Sequence, residues 1–374
     1  MRVQARSPYH IAYTDTNLTQ LTVELFIYTG TQTTDRPVAT TYVFQIEAWQ
    51  ERASMDIGQY VQDALTNLFD GSPTSQMVWV DYRLTPYISD VEQSSLTIVQ
   101  LEGYSGYREH IEGAQNESSA EDTNTLLMSN STIYRPAGKY LTIPIIKDSD
   151  FDVAYLDASN NIIYSQTITP SVVSSSRISY LNDSGTAGVD SYKERVLADG
   201  GDFVMTECLN NLLCLDMNGL SKIIVDGTEI KIETLLPSKY PQYKITFVNR
   251  FGALQDIWFT GKNVESMKTS VKNTYRRSTL VNDSYDVSRH TQVITRKNGA
   301  KSLQLSTAFV DESFNETFKE LQLSLFVWIE IEGVTLPVTV KDSGMVYKNS
   351  VNDGLIAFKL DIEFSFNEIS DILQ

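Results

Sequence analysis

The chain has 374 residues, with 47 Asp and Glu against 30 Lys and Arg, so its formal charge is −17, a balance that opposes general binding to nucleic acid. With 41% hydrophobic and 21% charged residues it can form cores, which excludes wholesale disorder, and its length suits two or three domains. Two cysteines, Cys208 and Cys214, are too few for a disulfide scaffold or a four-thiolate zinc site. No apolar run approaches the ~20 residues that cross a bilayer, and the N-terminus shows no signal-peptide core.

Ser, Thr, Tyr and Phe are plentiful, and the expected class is mainly β: multidomain antiparallel β-sandwiches or barrels with one or two short helices. In chain order, Leu21, Val23, Leu25 and Ile27 lie on one face of a strand over 21–28, and a second strand follows over 41–49. Helical spacing of Ile57, Tyr60, Val61, Ala64, Leu65 and Leu68 predicts a helix over 55–69. Strand patterns return at 77–84 and 95–104, and residues 112–131 lose all periodicity, which marks a first boundary. Short strands then follow at 140–146, 153–156 and 161–169. Asp226-Gly227 between alternating segments predicts a type I′ hairpin over 222–233. Further strands are expected at 244–249, 256–260, 292–295, 321–331, 335–340 and 355–366, with a helix near 311–321. The expected domains are 1–131, 132–239 and 240–374.

Charge is uneven along the chain. Residues 1–200 carry 12 cations and 25 anions, 201–300 carry 13 and 10, and 301–374 carry 5 and 12. The cations gather over 262–301, as Lys262, Lys268, Lys272, Arg276, Arg277, Arg289, Arg296, Lys297 and Lys301, against Glu265, Asp283 and Asp286. They form either a basic face that meets the acidic surface of a neighbouring copy or an ordinary solvated set of strands and loops.

Catalytic patterns are sparse. His10, His110 and His290 fall in no metal-binding spacing, no G-x-S-x-G elbow is present, and Ala198-Asp-Gly-Gly201 lacks the Lys-Ser/Thr of a phosphate loop. Asp148, Asp150 and Asp152 alternate like the first ligands of a calcium loop, but Val153 and Ser159 stand where glycine and glutamate are needed, which favours a solvated turn. No cofactor or catalytic residue is assigned. Six Asn-x-Ser/Thr triplets, at Asn17, Asn116, Asn130, Asn182, Asn282 and Asn315, are expected by chance in so Asn-, Ser- and Thr-rich a chain. Trp49, Trp79, Trp258 and Trp328 belong either to cores or to sugar-binding platforms, according to their exposure.

Three stretches together carry a resemblance: Ala5-Arg-Ser-Pro-Tyr-His-Ile11 with the following strand and helix, Tyr240 to Phe259, and Phe318 to Trp328 with the strands after it. In order and spacing they resemble tail and baseplate virion proteins of tailed bacteriophages, especially phages of Bacteroidota hosts and crAss-like relatives. The resemblance implies a non-enzymatic subunit of a tail ring in the virion, in contact with copies of itself and with other tail or baseplate proteins. Arg6 and Tyr9, with Lys262, Lys268, Lys272, Arg276, Arg277, Arg289, Arg296 and Lys297, are then the candidate subunit contacts. Arg6 to Tyr9 could equally form an edge strand in their own subunit. Asn249 and Arg250 organise a turn or an ion pair, with a subunit contact as the alternative. A second class of protein, a carbohydrate- or receptor-binding β-sandwich, fits the same composition.

Overall fold

The computed structural model describes residues 2–369 apart from 75, 117–124, 140, 172, 183–219, 278–279, 282–283, 286, 289 and 342–354. The described residues are mainly β, with two α-helices, Gly58–Ala64 and Phe314–Leu323. Two compact units divide the chain. One comprises Met1–Pro237, Thr246–Ile257 and Ser313–Ser324; the other comprises Ser238–Ile245, Trp258–Glu312 and Leu325–Gln374.

The first unit is built around a sheet in the order Arg2–Gln4, Val99–Tyr104, Met77–Ile88, Leu18–Tyr28, Tyr42–Glu47, antiparallel except for its first pair. Alternation sends Leu21, Val23, Leu25, Val78, Val80 and Tyr82 to one face, where they pack with Tyr9, Ile11 and Ala53 of the small sheet Arg52–Asp56, Tyr9–Thr14, Gln115–Asn116 and with Val61 of the first helix. The opposite face carries Phe26, Tyr28, Met77, Trp79 and Tyr104 into a second cluster with Leu127, Ile146, Ile178, Phe251 and Ala253. Covered on both faces, the sheet has a central strand whose residues Met77 to Tyr82 are all buried.

That second cluster joins residues from 26 to 253 in one core, so the expected boundary at 131 is crossed by packing and residues 1–237 share a unit. A further sheet of this unit runs Thr132–Pro136, Thr228–Leu235, Leu220–Val225, Phe151–Asp157, Ile162–Ile168. It contains the expected hairpin, with Asp226 and Gly227 at φ 47° and 81°. The first helix is shorter than expected because Met55 and Asp56 pair as strand with Ile11 and His10. Asp56 Oδ1 accepts the amides of Tyr9 and Gly58, which fixes where strand gives way to helix.

In the second unit the strands Val327–Ile331, Val334–Val340, Lys359–Phe364, Gln292–Ser306 and Val264–Arg276 lie in that order and are antiparallel. The last two are 15 and 13 residues long. Only Ser302–Ser306 of the longer strand pairs with Lys359–Phe364, while pairing with Val264–Arg276 continues out to Arg276 opposite Gln292.

Candidate functional site

Two places draw together residues singled out in the sequence. The first, in the first unit, gathers the N-terminal segment, the turn after Val248 and the helix Phe314–Leu323. Asn249 is fully buried. Its Oδ1 accepts the amides of Phe251 and Ala253 at 3.0 and 3.1 Å, and its Nδ2 donates to the Leu127 carbonyl at 2.7 Å and to Gln255 at 3.0 Å. Gly252, at φ +78°, lets the turn approach so closely that an added Cβ would stand 2.8 Å from the Ser105 amide nitrogen. The Arg250 carbonyl accepts the Tyr107 amide, and its guanidinium pairs with Glu112 at 2.6 Å.

Onto this turn the helix lays Glu320, buried to 2% exposure. Its carboxyl accepts the Ser129 hydroxyl and, at 3.4 Å, the Arg250 amide. Burial raises its pKa to about 7 against the pull of those donors. Burial beside the Glu320 carboxylate also pushes the Tyr107 phenol up to about 12. For Glu112, burial raises the carboxyl, but the Glu109 amide and Arg250 bring it below the usual carboxylate range. Lys319 bridges Glu109 and Glu316, and the Glu109 carboxylate is the main reason its pKa is raised.

Arg6 completes the junction, donating to the Leu323 carbonyl at 2.6 Å and lying 5.0 Å from the centre of the Tyr107 ring. Tyr9 is 2% exposed in the core. These two candidate subunit contacts are therefore used within their own chain, and Asn249 and Arg250 take the turn and ion-pair roles. The sequence signal for Glu320, Ser129 and Tyr107 was absent, because a buried carboxyl looks like any other acid until its neighbours are known.

The second place is the long ribbon of Val264–Arg276 against Gln292–Ser306. Lys262, Lys268, Arg276, Arg277, Arg296 and Lys297 are all exposed, as are Val264, Met267, Val271, Tyr275 and Ile294. Lys301 pairs with Glu265. Lys272 is in the strand, but its side chain lies outside the described residues, as does the whole of Arg289. Within 4 Å of Lys268, Arg276, Arg277 or Lys297 there is no carboxylate among the described residues.

Asp148, Asp150 and Asp152 separate. Asp148 pairs with the buried Arg177, Asp150 is exposed, and Asp152 accepts the Thr167 hydroxyl from a strand position. No group of three or more metal-ligating side chains occurs among the described residues. Cys208, Cys214 and Ala198 to Gly201 fall outside those residues. Of the tryptophans, Trp79, Trp258 and Trp328 are buried, whereas Trp49 is 79% exposed on a tight turn. No helix among the described residues is long and apolar enough to cross a membrane. Comparison with protein-family models and with curated proteins finds no match.

Proposed function

We propose that the chain is a structural subunit of a tailed-bacteriophage virion, set in a symmetric ring of the tail or baseplate that connects the tail tube to distal components. The carrying observation is the exposed basic ribbon on an otherwise acidic chain, since unlike faces suit head-to-tail contacts between copies. The resemblance of the three stretches supports the same reading. All three contribute to the junction of Arg6, Asn249, Arg250 and the helix, a purely architectural arrangement. This role assigns no chemistry to any residue. The test is mass spectrometry and immunogold microscopy of purified particles of the encoding phage. Label at the tail with a constant copy number is expected, and a chain confined to the infected-cell lysate overturns the reading.

Trp49 favours one alternative, a carbohydrate-binding β-sandwich, because a large exposed aromatic ring can stack on the apolar face of a sugar. Polysaccharide retention that is abolished by Trp49→Ala, in a chain absent from virions, would establish that alternative.

A further inference from the structure

The ribbon has a matching surface at one end of the first unit's main sheet, where three turns, 15–18, 47–52 and 88–92, are tied together. The Asp15 amide donates to the Glu51 carbonyl, the Asn17 amide to Glu51 Oε1, the Ser89 amide to the Asn17 carbonyl and the Asp90 amide to Thr19 Oγ1, all at 3.0 to 3.1 Å. These turns hold Asp15, Glu47, Glu51, Asp90 and Glu92 against the single cation Arg52, and beside them Trp49 and Val91 are exposed.

The ribbon is the converse. Residues 262–301 carry nine cations and three anions, a net +6, which leaves 21 cations and 44 anions, a net −23, on the rest of the chain. The C-terminal segment bonds to the ribbon at Asn298 and Gly299, and beyond Lys297 no third strand pairs with it among the described residues. From Val271 to Arg276 it extends about 17 Å as two strands. A two-stranded hairpin is marginal in water unless something packs on it. This one nevertheless exposes Val271, Tyr275 and Ile294 among its cations.

We propose that the ribbon of one copy seats on the three-turn end of a second copy. Lys268, Arg276, Arg277 and Lys297 face Glu47, Glu51, Asp90 and Glu92, and Trp49 covers the exposed apolar side chains of the ribbon and stacks on an arginine. The partner is a second copy because this chain itself presents the complementary charge and the complementary apolar surface. The two surfaces are different, so each copy both gives and receives, and the contact propagates until it closes. The inference rests on the proposed assembly role and names its contact.

The experiment uses two full-length charge-reversal variants, Lys268→Glu/Arg276→Glu/Lys297→Glu and Glu47→Lys/Glu51→Lys/Asp90→Lys, with thermal melts confirming that both fold. Sedimentation velocity at low and high salt should show wild-type self-association that weakens with salt. In each variant alone the association should be at least about tenfold weaker, and in an equimolar mixture of the two it should return. Carbodiimide cross-linking of mixed isotope-labelled copies should join Lys268 or Lys297 of one copy to a turn carboxylate of another. Oligomers that persist in both variants would overturn this contact and leave the ring reading standing. A wild type that is monomeric at every concentration and salt would remove both. Variant mixtures that stay dissociated, or a ribbon cross-linked only to other proteins of the particle, would reject a second copy as the occupant.

Discussion

Glu320 is a buried carboxyl whose proton the fold holds until the pH approaches about 7. Its pKa in the folded chain is about 7 against an ordinary value of 4.5, because burial disfavours the charged form more than Ser129 and the Arg250 amide favour it. Between those values the unfolded chain has released a proton that the folded chain retains. Its stabilising contribution is therefore complete below pH 4.5, falls as pH rises through about 7 and is level above that. The swing is on the order of 3 kcal/mol. Glu320→Gln is expected to flatten this part of the profile, measured by urea unfolding across the range, and an unchanged slope would show that another group carries it. Asn249 is fully buried and makes four hydrogen bonds, so Asn249→Ala is expected to cost about 3 kcal/mol. Gly252→Ala meets both a positive φ and a clash with Ser105 and Tyr104, and about 2 kcal/mol or more should be lost. Chemical denaturation reads both, and substitutions within about 0.5 kcal/mol of wild type would mean that the turn is not a keystone of this unit.

At the scale of elements, the ribbon and the helix Phe314–Leu323 behave oppositely. The helix buries Phe314, Phe318 and Leu321 in the first unit, so Phe318→Ala should destabilise by about 3 to 5 kcal/mol. The outer ribbon is solvent-exposed. Replacing residues 272–296 by Asn-Gly between the paired Val271 and Lys297 should leave the thermal midpoint within a few degrees, about 1 kcal/mol or less, while removing salt-sensitive self-association. A calorimetric midpoint that falls much further would show that the ribbon packs on its own chain. Some of these elements were legible. Asp226-Gly227 announced its hairpin because those residues tolerate positive φ, and Leu21, Val23 and Leu25 announced a one-faced strand. The ribbon was legible only at 292–295, because Thr, Ser, Lys and Asn on both faces leave no apolar alternation to read. The turns Gln50-Glu51 and Ser89-Asp90 also adopt positive φ, yet contain no glycine to betray them.

For the whole molecule, the first unit is closed by two segments that arrive late in the chain, Thr246–Ile257 and Ser313–Ser324. A fragment ending at residue 237 lacks the helix and also Phe251 and Ala253, so the packing against one face of its main sheet is incomplete. Such a fragment is expected to bind a hydrophobic dye and to give poorly dispersed amide spectra, whereas the full chain gives neither. A 1–237 fragment with native-like dispersion would show that the late segments are accessories.

The sequence by itself determined the mainly β class, the absence of common catalytic motifs and the uneven charge, since these follow from composition, period-two alternation and local turn chemistry. It also placed a positive segment at 262–301. Tertiary structure decided which residues those local patterns serve. It put Tyr9 into a core, Arg6 on the end of a helix more than three hundred positions away, Glu320 into a pocket of donors, and Trp49 alone among the tryptophans into solvent. Those outcomes depend on contacts between distant segments, where burial and partner geometry set the energy of a side chain, and neither quantity is written in its immediate neighbours.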